Sequence, residues 1–98
     1  MNEVKLKLSD QNKGAFYLMD DNKQIGEMAI SITNNHLIAY HTEVNKEYEG
    51  KGLGKVLLNA MTEYARNNNL KVIPLCPYVN AQFMRHTELY GDLLDVKV

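Results

Sequence analysis

The chain has 98 residues, 45% of them hydrophobic and 23% charged, with a net charge of −1. That length allows one core and little more, so a single domain over residues 1–98 is expected, and the near-neutral charge disfavours nucleic acid as a partner. The one cysteine, Cys76, leaves no intramolecular disulfide, which suits a reducing cytoplasm, and no apolar run approaches the roughly 20 residues of a membrane span.

Residues 3–8 alternate Val4, Leu6 and Leu8 with Lys5 and Lys7, the pattern of a half-buried strand and unlike the apolar centre of a signal peptide. Residues 15–19 read as a second strand, followed by an Asp20-Asp21-Asn22 turn. Residues 24–33 read as a third, with Met28, Ile30 and Ile32 on one face, and Asn34-Asn35 marks another hairpin. The fourth, residues 36–44, alternates Ile38, Tyr40, Thr42 and Val44 on one face with Leu37, Ala39, His41 and Glu43 on the other.

The period then changes from 2 to 3.6. Leu53, Val56, Leu57, Ala60, Met61, Tyr64 and Ala65 form one helical stripe, stopped by Asn67-Asn68-Asn69. Residues 70–75 read as a short fifth strand, weakened at its end by Pro74. Pro77 opens a second helix, with Val79, Phe83 and Met84 facing inward, while residues 87–98 show no clear pattern. The order is a β-β-β-β-α-β-α mixed α/β (α+β) chain: an antiparallel four-strand meander, then a right-handed crossover making strands four and five parallel. Ligands of open α/β sheets favour the carboxyl ends of such strands, here His41 to Val44 and Leu75-Cys76.

Directly above those ends lies Glu49-Gly50-Lys51-Gly52-Leu53-Gly54-Lys55. Its glycines leave backbone N–H groups uncovered, and the helix behind them adds roughly half a positive charge. The combination suits phosphate or pyrophosphate. Lys46, Lys51 and Lys55 add a local basic cluster. The dinucleotide fingerprint G-x-G-x-x-G fails, because Lys55 or Leu57 stands where the third glycine belongs. The P-loop fails too, with Glu49 at its first glycine and Val56 after Lys55.

What remains, an R/Q-x-x-G-x-G/A turn between a fourth strand and a long helix, resembles the acetyl-coenzyme A loop of the GNAT N-acetyltransferase superfamily. The segments His41-Thr42-Glu43-Val44, Cys76-Pro77-Tyr78-Val79 and, imperfectly, His86-Thr87-Glu88-Leu89-Tyr90 resemble the minimal GNAT-like proteins of roughly a hundred residues. The resemblance covers nearly the whole chain. One departure is Glu49, which stands where the superfamily has Arg or Gln and implies a weaker hold on the coenzyme.

The resemblance implies a GNAT-like sheet and an N-acetyltransferase using acetyl-CoA as cosubstrate. The pyrophosphate would lie on the amides of Gly50, Lys51, Gly52, Leu53, Gly54 and Lys55. The pantetheine arm would lie between strands four and five, bonded to backbone around Val44 and to Asn80. His41 is the expected base for an amine acceptor, and Cys76 the expected acid or acyl carrier, with direct attack preferred to a covalent route. A structural histidine and a small buried hydrophobe are the plainer readings of these two. Tyr78 and Tyr90 are weighed as proton donors or acceptor-pocket residues against simple packing. No zinc spacing is present, so no metal is expected. The expected partner is a small-molecule or peptide amine acceptor, with no nucleic acid and no membrane, and the chain a monomer or weak dimer. The alternative is a non-catalytic acyl-CoA binding module or sensor.

Overall fold

The computed structural model describes residues 2–94. Four antiparallel strands, β1 (Asn2–Leu8), β2 (Lys13–Asp20), β3 (Lys23–Thr33) and β4 (His36–Val44), lead into α1 (Leu53–Asn67). The chain returns through β5 (Lys71–Pro74) and ends in α2 (Pro77–Arg85), α3 (Thr87–Tyr90) and a 3₁₀ turn at Gly91–Leu93. The strands pair in sequence order, and β5 lies parallel to β4. This is the mixed sheet and crossover expected from the pattern. The short α3 and the last turn fall where the sequence had no clear pattern, and the part of that stretch beyond Leu94 lies outside the described residues.

The local causes are plain. Asn34 and Asn35 both hold positive φ, 48° and 65°, the backbone that a two-residue hairpin of this twist demands and that asparagine tolerates. The helices cover one face of the sheet. Phe16, Leu18, Met28, Ile30, Leu37 and Ala39 meet Leu57, Leu58 and Met61 of α1 and Val79 and Phe83 of α2, all buried. Each large side chain so placed contributes about 1.5–3 kcal/mol. Phe83 stacks on Tyr90 with ring centroids 4.8 Å apart, so Tyr90 is a core residue. Met84, expected inward, is 55% exposed; the stripe of this short helix is narrow and Phe83 fills it. The opposite sheet face, carrying Tyr17, Ala29, Tyr40 and His41, has no helix over it among the described residues.

One register break corrects the reading of β4. Ala29 pairs with His41, but Ile30 pairs with Ala39. Tyr40 is therefore an extra residue, a bulge, and alternation restarts beyond it. Leu37 and Ala39 point to the helices, and so do Thr42 and Val44, while His41 and Glu43 point to the open face. Strict alternation over the whole strand, as expected from the sequence, puts His41 with Ala39 and is wrong for that reason.

Candidate active site

The pairing of β4 with β5 runs only from His36–Lys71 to Ala39–Pro74. Proline has no N–H to continue the ladder. The Cys76 N–H still donates to the Ala39 carbonyl at 2.8 Å, and beyond that point the strands separate. The stretch His41–Val44 keeps β3 on one side and, among the described residues, has no strand on the other. Asn45 N–H donates to Ile25 at 2.7 Å, so the backbone alternation turns Val44's own N–H and C=O toward the gap.

Above the gap is an open hollow of about 270 Å³, lined by Val44, Tyr48, Glu49, Gly50, Gly52, Leu53, Gly54, Lys55 and Tyr78. Gly50 and Gly52 have φ of +83° and +73°, with open space where a side chain would stand. Gly52 caps α1 without a side-chain hydrogen bond, and no acid lies in the first turn. The Lys55 N–H bonds back to Gly52 O at 3.2 Å, and the N–H groups before it are the ones a helix start leaves without an intrahelical partner. Gly54 has a different reason to be glycine. A Cβ there would sit 3.3 Å from the Tyr78 ring, so the absent side chain lets α1 and α2 approach at their N-termini.

Of the eight residues expected to hold the coenzyme, Val44, Gly50, Gly52, Leu53, Gly54 and Lys55 line this hollow. Lys51 does not; its amine stands 5.5 Å from the Tyr48 ring centroid, with Lys23 at the same distance. Tyr48 in turn donates to Asp20 at 3.4 Å, which ties the wall of the hollow to the end of β2. Asn80 lies outside the lining, exposed on the first turn of α2, with its N–H bonded to Cys76 O. Tyr78 and Tyr48 are lining residues that the sequence reading did not assign to the coenzyme. A glycine inside the first turn of a helix was the available signal for Tyr78, since such a residue marks close approach. Burial, then the neighbouring Tyr90 and Cys76, push the Tyr78 phenol above its ordinary range, so it is protonated at neutral pH. Glu49 and Lys55 both lie in the lining.

The two residues expected to carry chemistry are not in contact. His41 leaves β4 toward the open face, its side chain 60% exposed, with Nε2 3.0 Å from Glu43 Oε1. Cys76 is buried at the start of α2 on the helix side. The group that reaches it is Thr42, whose Oγ1 lies 3.2 Å from Sγ. Among the described residues no cluster of three or more His, Cys, Asp or Glu could hold a metal, and no helix is long and apolar enough to cross a membrane.

A family model described as GCN5-related N-acetyl-transferase matches residues 15–93. Among solved structures, the NMR structure of a GCN5-like protein from Staphylococcus aureus is 35% identical, over 95% of this chain and 87% of that one, with a TM-score of 0.65. The ribosomal-protein-S18-alanine N-acetyltransferase of Escherichia coli is 14% identical at a TM-score of 0.66, over 83% of this chain but 54% of that one. An aminoglycoside acetyltransferase from an uncultured soil sample, solved with trehalose, is 16% identical at 0.60, over 92% of this chain and 64% of that one. At these low identities the last two show a shared fold. No curated protein matches the chain.

Proposed function

We propose that this chain, which belongs to the GCN5-related N-acetyltransferase family, binds acetyl-CoA over its glycine turn and transfers the acetyl group to an amine. The observation that carries the reading is the coincidence of an uncapped helix N-terminus, two left-handed glycines and the open edge of β4 around one hollow. These features fit the cosubstrate part by part. Backbone amides at a helix N-terminus suit a pyrophosphate. The Val44 backbone suits an amide-bearing arm, which would add itself to β4 as a further strand does. Acetyl-CoA supplies an acyl group activated as a thioester.

The residues of the chain divide the remaining work. A lysine-like amine costs roughly 4–5 kcal/mol to deprotonate at pH 7, so a base must take its proton. His41 stands on the open sheet face, where an acceptor has access. When its Nε2–H donates to Glu43, Nδ1 is left to accept a proton, directly or through water. Cys76 stands on the helix side of the same gap as the acid that returns a proton to the leaving sulfur. The covalent route, with Cys76 as acyl carrier, ranks second to direct attack.

The coenzyme reading is tested by two-dimensional NMR of labelled protein titrated with acetyl-CoA and then CoA. Shifts gathered on residues 44–55 and 76–80 support it. Their absence at millimolar ligand means that the glycine turn is only steric. Acetyl transfer is then tested by CoA release with a panel of amines, including small polyamines, aminoglycosides and N-terminal peptides. Binding without turnover across the panel favours the acyl-CoA binding module instead.

A further inference from the structure

We propose that Thr42 is a positioning residue for Cys76, holding the thiol toward the β4–β5 gap and stabilising its thiolate. The inference rests on the reading of Cys76 as the proton donor to the leaving thiolate. It begins, however, from geometry that is independent of any ligand. Residues 34 positions apart in the chain place Oγ1 and Sγ 3.2 Å from each other. They do so only because the Tyr40 bulge turns Thr42, and not His41, toward the helix side.

Both partners are held. The Cys76 backbone is fixed on its two sides, its N–H donating to Ala39 O at 2.8 Å and its C=O accepting from Asn80 N–H at 2.9 Å. The main freedom left to the residue is rotation about χ1. Threonine is β-branched and stiff at χ1, so its hydroxyl is a defined reference point for the thiol. Stability alone does not call for this arrangement. A neutral S–H···O or O–H···S contact is weak, and valine fills the same volume without a hydroxyl to desolvate. The contact becomes strong when the sulfur is charged, because a hydrogen bond to an ionised acceptor is roughly twice as strong as a neutral one.

As the acetyl–sulfur bond breaks, its electron pair stays on the coenzyme sulfur. The Cys76 S–H bond then breaks, its proton bonds to that sulfur, and the negative charge passes to Sγ. The Thr42 O–H donates to the new thiolate, and water later restores the Cys76 proton. Of the titratable groups on the surrounding elements, Tyr78 on α2 is near enough that its own phenol is raised by burial, then by Tyr90 on α3 and by Cys76. His41 and Glu43 leave β4 by the other face, while α1 presents its apolar stripe and β5 presents Val72.

The test uses the ligand-free, full-length protein with ¹³Cβ-labelled cysteine; with one cysteine in the chain the signal is unambiguous. Its chemical shift against pH gives the thiol midpoint, and three-bond couplings give the χ1 population. We expect Thr42→Val to raise the midpoint by about one unit or more and to spread χ1 over several rotamers, with Thr42→Ser restoring both. In turnover, Thr42→Val lowers kcat and leaves KM for acetyl-CoA unchanged. An unchanged midpoint and a single rotamer in a folded Thr42→Val protein overturn the proposal. Should the valine variant not fold, the contrast of Thr42→Ala with Thr42→Ser answers the same question. Titrating each variant with CoA separates the two readings. Amide shifts around the hollow that persist in Thr42→Val, beside an unmoved thiol, refute the role of Thr42 and leave the coenzyme site standing.

Discussion

The two ends of α1 are finished in opposite ways. At its C-terminus the exposed carbonyls are taken up: Tyr64 O accepts from the Asn68 backbone and side chain, and Ala65 O accepts from Leu70 N–H at 2.8 Å. Arg66 there donates to both carboxylate oxygens of Asp92 at 3.0 and 3.1 Å and to Leu89 O at 2.6 Å, and Lys71 donates to Asp92 O at 2.5 Å. At its N-terminus Gly52 offers no side-chain cap, the first turn has no acid, and a hollow lies in front. Every helix leaves unsatisfied groups at both ends. This one closes the end that anchors the C-terminal segment and leaves open the end that faces the parting of β4 and β5.

The contrast can be broken from either side. The largest effect is expected at the open end from His41→Ala, which should lower acetyl transfer by about 100-fold or more at saturating acetyl-CoA, measured as CoA release; an undiminished rate removes His41 as base. Next comes Gly54→Ala. Alanine favours a helix over glycine by about 1 kcal/mol, yet its Cβ would press on the Tyr78 ring. Affinity for CoA should fall about 5-fold or more while the melting temperature holds or rises. A melting temperature that collapses with affinity would make Gly54 a purely structural residue.

At the closed end the expected effect is on stability alone. Asp92→Asn should cost at most about 1 kcal/mol at pH 7, because the pair with Arg66 is exposed to solvent, with no change in CoA binding. The hydrogen bond from Arg66 is the main cause that holds the Asp92 carboxyl below its usual range. Its folded pKa is thus lower than its unfolded one. The stabilisation is whole above the ordinary carboxylate range and fades as pH falls through the lowered value. Thermal melts of the two proteins should therefore differ at pH 7 and converge in strong acid. The smallest effect belongs to Glu49→Gln. Removing an acid from the lining of an anion site is worth about 0.3–1 kcal/mol, so CoA should bind roughly 2- to 5-fold tighter, less so in high salt. Unchanged affinity at low salt would mean that Glu49 points away from the phosphates.

Much of this was legible in the sequence because it is local. Alternation, helical period, paired asparagines and spaced glycines each act within a few residues, so the strand order, the crossover and the glycine turn before α1 follow from nearest-neighbour sterics and hydrogen bonding, whereas Val44 as a coenzyme residue followed from the family resemblance. The position of the cysteine at the carboxyl end of β5 is local in the same sense. The bulge at Tyr40 is different. It arises from how β3 and β4 settle against each other and the core, and no short pattern announces it. Yet a shift of one residue exchanges the two faces of a strand. Tertiary packing alone therefore decided that His41 faces the open side and that Thr42 meets Cys76. It also decided that Tyr78 closes on Gly54, because that contact joins two helix ends whose approach depends on the whole core beneath them.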